Sequence, residues 1–380
     1  MRGLYIHIPF CQTRCHYCNF VTTAAPSPDL REQFFKALLA EIKHACNHYG
    51  PLSFDTLYFG GGTPSSLGVS ELKRLAEGIH STFRFKKEYE FTCEFNPGDG
   101  DEAKLKFLRE IGINRMSLGC QSFRDEILRK LGRRHMARDI AETVLKIQQA
   151  GITNISFDLM LRLPGQTALD FRDSVGQCIK LGATQVSLYD LEVHEGTPFG
   201  QFQKEGKLGL PGEEEHARMY ESAIEMLTNS GYEHYEISNF AKPGLASRHN
   251  LIYWHNQEYL GLGPGAFTYL NGVRSQFALD LEQYLEKCEA ENWKNDVEDH
   301  LSEEEKETET LVTGLRLCEG VRPALFPKIY PALREHLKML CQDGLMEKTD
   351  EKIRLTTRGK FLSEDVFSFL IGKGASSQTT

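Results

Sequence analysis

Short β-rich runs alternate with longer helical patterns along most of this chain, and this alternation constrains its fold more than any other feature. Six runs have the length and composition of strands: residues 3–10, 55–62, 88–95, 114–119, 154–161 and 184–191. Apolar residues at helical spacing follow each strand in turn, over residues 29–48, 68–83, 101–111, 137–150, 168–181 and 213–230. Six βα units in succession predict an α/β fold with a parallel sheet.

Residues suited to chemistry or to tight turns occur where the predicted strands end. They are Cys11, the glycines at 60–62, Glu94, Gln121, Asp158 and Glu192. In a βα barrel all carboxyl ends of the strands open on one face, which carries the active site, whereas a doubly wound sheet concentrates its site at one switch point. Contributions from six successive strands therefore favour a partial (β/α)6 TIM-like barrel, which we place with an accessory segment in residues 1–280.

A different pattern follows this predicted barrel. A charged amphipathic helix over residues 300–317 starts with a capping-box signal at Ser302, and a second helix is predicted near residues 330–343. A short strand at 352–359 and a closing helix complete a winged-helix-like α/β module, assigned to residues 281–373. Because Glu303, Glu304 and Glu305 make its first helix acidic, we expect a structural or partner-binding role. Residues 374–380 are predicted to be a disordered tail.

Charge and cysteine content narrow the class of protein. The net charge of −9 argues against a nucleic-acid partner that needs a basic surface. Ten cysteines in 380 residues are too sparse for a disulfide scaffold. Neither a signal peptide nor an apolar run of about 18 residues is visible. We therefore expect a cytoplasmic protein with reduced thiols, in which closely spaced cysteines indicate metal or redox chemistry.

Three such cysteines, Cys11, Cys15 and Cys18, lie within eight residues in "CQTRCHYC". Thiolates favour zinc or iron–sulfur clusters. A structural zinc site is closed by four ligands, and His7 or His16 could supply the fourth, which leaves a zinc-stabilised binding protein as an alternative. Three thiolates on a four-iron cluster instead leave one iron open for a further ligand.

The three-cysteine spacing resembles that of the radical S-adenosylmethionine (SAM) superfamily, and further motifs resemble its coproporphyrinogen oxidase-like branch. In chain order these motifs are "LYIHIPFCQTRCHYCNF", "YFGGGTPS", "EFNPGD", "GCQSF", "LGRRH", "DLMLRLPGQT", "SLYDLEVHEGTPF", "YEISNFAKPG" and "RHNLIYWHNQEYLGLGPGA". The resemblance covers nearly the whole chain. It implies a radical SAM barrel with a [4Fe–4S] cluster on Cys11, Cys15 and Cys18, and SAM bound at the open iron.

By position, the resemblance assigns SAM contacts to nine residues. They are Tyr5, Tyr17, Gly61, Gly62, Thr63, Glu94, Gln121, Arg133 and Asp158. Taken singly, Glu94 could merely cap a helix and Arg133 could be a surface cation. The chain also departs from the family pattern: Arg162 stands where a glycine is usual, and Asp190 and His194 vary a common "YQLTIEPGT"-like run.

The branch contains oxygen-independent coproporphyrinogen III oxidases, which decarboxylate propionates by SAM-dependent radical chemistry, and HemW-type heme chaperones. The oxidases carry a fourth cysteine two residues after the third and an N-terminal extension. Here Phe20 occupies that position and the motif begins by residue 11. Both differences favour the chaperones, so we predict no catalytic residue and leave enzymatic activity open. The oxidase remains an alternative.

The segment "HNLIYW" matches a motif of the chaperone group and suggests heme as a third cofactor. Histidine is a common heme ligand, so His249 is the predicted one, and its replacement should weaken heme binding while leaving the cluster intact. A hydrogen-bonded loop histidine is the alternative. The resemblance also implies heme-acceptor proteins as partners, with respiratory-chain or membrane-associated acceptors among the candidates. A homodimer is a further hypothesis.

Overall fold

The computed structural model describes residues 1–349 and 351–374. Its strands are β1 Gly3–Ile8, β2 Phe10–Cys11, β3 Thr23–Ala24, β4 Ser53–Gly61, β5 Arg84–Phe95, β6 Arg115–Gln121, β7 Asn154–Leu161, β8 Gln185–Asp190, β9 Glu233–Glu236, β10 Asn239–Ala241, β11 Tyr259–Leu262, β12 Phe267–Leu270, β13 Val273–Gln276, β14 Val297–His300, β15 Met346–Lys348 and β16 Ile353–Leu355.

The α-helices include every helix predicted from the sequence, with bounds close to the predicted ones, and several shorter helices that were not predicted. They are α1 Pro28–Tyr49, α2 Val69–Thr82, α3 Glu102–Glu110, α4 Asp125–Lys130, α5 Ala137–Gln149, α6 Ala168–Lys180, α7 Pro198–Lys204, α8 Glu213–Asn229, α9 Arg248–Trp254, α10 Leu281–Glu289, α11 Glu303–Gly314, α12 Tyr330–Gln342, α13 Thr357–Phe361 and α14 Ser363–Gly374. Two short 3₁₀ turns, Pro64–Ser66 and Pro323–Leu325, complete the described elements. None of the described helices is both long and apolar enough to span a bilayer.

One twelve-stranded sheet dominates the fold, in the order β14-β13-β12-β11-β1-β4-β5-β6-β7-β8-β10-β9. The six predicted strands β1, β4, β5, β6, β7 and β8 are neighbours in chain order, and all their pairings are parallel. Sequential order is what a βα barrel requires, because a doubly wound sheet reverses its strand order at a switch point. The edge strands β14 and β9 do not pair with each other within the described residues, so the α/β barrel is partial.

The two faces of this sheet differ sharply in polarity. Apolar side chains such as Leu57, Phe59 and Phe91 point to the helices and are fully buried in the main core. The alternate positions point into the barrel and are polar. They include Thr56, Tyr58, Arg115, Ser117, Ser156, Asp158, Gln185 and Ser187. A TIM barrel is usually filled by branched apolar side chains. This polar interior therefore indicates ligand binding in the upper half of the barrel.

The C-terminal segment has its own apolar core, built by α11, α12, α14 and the hairpin β15–β16. Ser302 caps α11 and Glu305 completes the predicted capping box. The predicted strand is shorter than expected, because Thr356 caps the short helix α13. The domain boundary after residue 280 stays a prediction. Two elements beyond it contact the barrel part, because α10 packs on α1 and β14 extends the main sheet. Of the predicted tail, all but Gly374 lies outside the described residues.

Candidate functional site

A cavity of about 680 Å³ opens at the carboxyl ends of the barrel strands, the face that the sequence predicts to be functional. Its volume lies in the ordinary range for a small-molecule site. Eleven of the predicted site residues line it: Cys11, Cys15, Tyr17, Cys18, Gly61, Gly62, Thr63, Glu94, Gln121, Arg133 and Asp158. The structure thus brings together residues that lie up to 147 positions apart (158 − 11).

Cys11 ends β2, and Cys15 and Cys18 lie on the loop that follows; residues 11–18 are called the cluster loop below. Thr63 Oγ1 donates to Cys11 Sγ at 3.5 Å, and Arg133 Nη1 donates to Cys15 Sγ at the same distance. The Cys18 amide donates to the Cys15 carbonyl oxygen at 3.2 Å, which folds the loop back on itself. These donors suit thiolates, whose negative charge they would partly offset.

Glycine is required in the turn after β4 for two separate reasons. Gly61 has φ of +109°, and a side-chain Cβ there would lie 2.6 Å from the His7 ring. At Gly62 a Cβ would lie 2.7 Å from the carbonyl oxygen of Phe10. The turn can therefore pack directly against the cluster loop only without side chains.

Two buried carboxyl groups form part of the cavity wall. Glu94 accepts hydrogen bonds from the Tyr58 hydroxyl at 3.0 Å and from the Gly61 amide at 3.1 Å. Asp158 accepts from Ser117 Oγ, with distances of 2.9 and 3.1 Å to its two oxygens. Burial raises the pKa of Glu94 to about 7 and that of Asp158 to about 6. Both groups retain free lone pairs for the hydroxyl or ammonium donors of a ligand.

Gln121 and Arg133 complete the wall. Gln121 adopts a left-handed φ of +62°, and its buried Oε1 has no hydrogen-bond partner among the described residues. Such strain in a side-chain-bearing residue is typical of functional positions. Arg133 Nη2 donates to Asn96 Oδ1 at 2.6 Å and to the Gly119 carbonyl oxygen at 2.7 Å, which fixes its guanidinium beside the cluster loop.

This set of residues fits a thiolate-held cluster with SAM beside it. Three thiols, a glycine turn without side chains, an orphaned amide oxygen and a fixed guanidinium match an iron–sulfur cluster and an amino-acid ligand in chemistry. The described residues contain no group of three or more His, Cys, Asp or Glu placed to hold a single metal ion. The assignment of the cysteines to a cluster therefore rests on their spacing and their chemistry.

Two predicted site residues do not line the cavity. Tyr5 lies beneath its floor, where its hydroxyl contacts His7 Nδ1 at 3.1 Å. His249 lies deeper still, at the amino end of the barrel, on α9. Its Nδ1 is 2.6 Å from Thr56 Oγ1, its Nε2 is 2.9 Å from the Tyr253 hydroxyl, and its ring stacks on Tyr58 at 5.0 Å. With 2% of its surface exposed and both nitrogens engaged, His249 closes the base of the barrel.

The sequence did not single out several other residues of the cavity wall as site residues. Asn96 and Tyr189 line it, as do Arg14 and Arg134 near the cluster loop. His194, noted only as a departure from the family pattern, lines it as well. Asp190, a second noted departure, also lines the cavity. At the third, Arg162 has φ of +63°, so the backbone keeps the conformation that glycine adopts freely. The ends of the predicted strands indicate where the site lies. They do not indicate which side chains of the following loops point into the cavity.

Comparison with known proteins identifies the family. Residues 5–178 match the Radical SAM superfamily and residues 301–362 match the HemN C-terminal domain. The protein named Heme chaperone HemW in Bacillus subtilis (strain 168) is 35% identical over 379 residues, which cover 98% of this chain and 100% of that protein. This chain belongs to the HemW family of radical SAM proteins. Heme chaperone HemW of Lactococcus lactis subsp. lactis (strain IL1403) is also 35% identical, with 96% of this chain and 95% of that protein covered.

Membership of the radical SAM superfamily implies a [4Fe–4S] cluster and SAM as cofactors of this HemW-family chain. The fold agrees with a solved structure of coproporphyrinogen III oxidase (HemN) from Escherichia coli. The TM-score is 0.85 at 23% identity, with 97% of this chain and 89% of the oxidase covered. At that identity the likeness establishes the shared fold and leaves the activity of this chain to be decided by its site.

Proposed function

We propose that this HemW-family protein is a heme chaperone, which binds a [4Fe–4S] cluster, SAM and heme and passes heme to acceptor proteins. The observation that carries the proposal is full-length similarity to proteins named Heme chaperone HemW. Cys11, Cys15 and Cys18 would hold the cluster, which supplies an open iron when bound. Arg133 would then pair with the carboxylate of SAM, and Glu94 and Asp158 would accept hydrogen bonds from its hydroxyl or ammonium groups.

The residue two positions after the third cysteine supports a chaperone over an oxidase. Phe20 lines the cavity and 66% of its surface is exposed. A side chain of this kind offers a flat apolar contact to a ligand, and it cannot supply the thiol that the oxidases carry there.

The proposed partners follow from this function. Acceptor proteins would take heme from the chaperone, and respiratory-chain or membrane-associated proteins are candidates. We propose action in the cytoplasm and a homodimer as the assembly to test by sedimentation. No nucleic-acid partner is proposed, because the net charge is −9.

The test begins with anaerobic cluster reconstitution and analysis of iron and sulfide, where about four irons per chain support a cluster and zinc alone supports the zinc-stabilised alternative. Hemin is then titrated into the full-length protein, and transfer to apomyoglobin is followed by absorbance. In parallel, the reduced protein receives SAM and coproporphyrinogen III. Heme binding and transfer without decarboxylated porphyrin are expected. Decarboxylation over many turnovers would instead establish the oxidase alternative.

A Cys15→Ala variant provides the matched control for both assays. Loss of one cluster ligand should abolish cluster loading and SAM binding. Equal SAM binding by this variant and by the wild type would contradict the proposed site.

A further inference from the structure

The geometry points to the cavity mouth as the heme site, with His194 as the axial ligand of the iron and Phe20 and Tyr189 against the porphyrin. This inference rests on the proposed heme-binding function and names the residues that would perform it. A cavity of about 680 Å³ is in the range for one small ligand, and the cluster with SAM would occupy its interior. We therefore place heme across the rim.

Two histidines line the cavity, and only one is free to ligate. His135 is 5% exposed, its Nε2 lies 3.3 Å from the Cys120 carbonyl oxygen, and burial lowers its pKa to about 4. The side chain of His194 is 39% exposed, and the side-chain contact found for it among the described residues joins its Nε2 to Glu192. His249, predicted from the sequence, has both ring nitrogens engaged beneath the floor. An approaching iron can therefore reach His194 without any rearrangement of the barrel.

A carboxylate already orients the His194 ring. Glu192 Oε2 lies 3.4 Å from His194 Nε2, which leaves Nδ1 as the coordinating atom. Metal-ligating histidines usually donate their other ring N–H to a carboxylate, which fixes the ring and raises its basicity. The pair thus has the arrangement of a ligand with its supporting group.

The loop that carries His194 is anchored to the cluster loop. Thr197 caps α7, and its Oγ1 donates to the His194 carbonyl oxygen at 2.7 Å. The next turn brings the Phe199 amide to within 3.0 Å of the His16 carbonyl oxygen, in the middle of the cluster motif. The His194 backbone is therefore held at a fixed place relative to the cysteines, as a ligand at the rim requires.

The remaining rim side chains suit the other two parts of heme, its flat apolar ring and its two propionate carboxylates. Phe20 and Tyr189 are 66% and 44% exposed and line the same cavity. Arg14 and Arg134 line it too, and 52% of the Arg134 side chain is exposed. Guanidinium groups bind carboxylates bidentately, so these two arginines are suited to the propionates.

The test is a hemin titration of the cluster-loaded, SAM-bound full-length protein and its His194→Ala variant. We expect the variant to bind heme at least about tenfold more weakly, to lose the histidine-ligated absorption spectrum and to regain it with added imidazole. Metal-free protoporphyrin IX should bind the variant and the wild type equally, because it makes no iron bond. Phe20→Ala should weaken both porphyrins.

His300→Ala is the matched control, because His300 is also an exposed histidine with a glutamate two residues earlier, Glu298, at 2.9 Å. It should bind heme as the wild type does. An unchanged spectrum and affinity in His194→Ala would overturn the assignment while leaving heme binding itself intact. Absence of heme binding by the wild type would refute the proposed function and the assignment together. Cluster content and melting temperature, measured for each variant, separate ligation from folding.

Discussion

Replacing His249 by alanine should destabilise the barrel, whatever its effect on heme. The ring is 2% exposed, and its two nitrogens contact the hydroxyls of Thr56 and Tyr253. Each hydroxyl left unpaired in the interior costs about 1–3 kcal/mol. Removal of a buried ring adds about 3 kcal/mol for lost packing and the remaining cavity. We therefore expect the free energy of unfolding to fall by at least about 4 kcal/mol.

The assay is equilibrium unfolding in urea, followed by tyrosine and tryptophan fluorescence of the cluster-free protein. His249→Asn can restore a contact to Thr56 and His249→Gln one to Tyr253, so each should recover part of the loss. A His249→Ala protein within about 1 kcal/mol of the wild type would refute this reasoning. If the loss is confirmed, weaker heme binding by His249→Ala does not by itself identify a ligand, because a destabilised barrel would also bind heme less well.

The pH dependence of stability provides a second readout for the same residue. Burial, with a smaller effect of the Arg115 charge, lowers the pKa of His249 to about 3. Below its ordinary pKa of about 6.5 the unfolded chain binds a proton that the folded protein excludes. This group therefore removes stability as the pH falls from about 6.5 towards 3, by up to about 1.4 kcal/mol per pH unit. His249→Gln should lack that contribution, and an unchanged slope would argue against a neutral, buried ring.

Three further outcomes are expected. Since burial raises the pKa of Glu94 to about 7, SAM affinity measured by equilibrium dialysis should increase between about pH 6 and 8, and Glu94→Gln should abolish that increase. The buried Arg115 guanidinium stabilises the Asp158 carboxylate, so Arg115→Met should lower the free energy of unfolding less in an Asp158→Asn background than in the wild type. We expect a coupling of about 1 kcal/mol in a double-mutant cycle, and additive effects would disprove it. Gly61→Ala should cost about 1–3 kcal/mol and weaken SAM binding, and a crystal structure with an unmoved turn would contradict the predicted clash.

The sequence predicted what depends on local pattern. The predicted run that overlaps β4 ends in the expected glycine turn. The predicted run 154–161 coincides with β7, but Asp158 lies inside this strand, three residues before its end. Parallel strands place all such ends on one face, so the pattern also predicted the cavity wall. The cysteine spacing predicts the cluster loop without any structural information, and the structure places all three cysteines in the cavity wall.

The sequence could not predict contacts made by side chains far apart in the chain. His249 is paired with Thr56, and its position at the base of the barrel follows from α9 docking between strands, which no periodicity reveals. Tyr5 alternates as an inward-facing residue, yet strand length places it below the floor instead of on the wall. The exposure of rim side chains such as Phe20 and His194 depends on loop conformation, so the sequence could not predict it either.

The pairing of the first strand has a consequence for synthesis on the ribosome. Gly3 of β1 pairs with Tyr259 of β11, and the helix that closes the barrel base, α9, begins at Arg248. At about 5–20 residues per second, the nascent chain leaves this edge of β1 without its partner for roughly 12–50 s. During that time the backbone N–H and C=O groups of the edge are free to pair with strands of other chains. The pairing of β1 with β11 thus makes synthesis itself a stage at which this chain is open to misassociation.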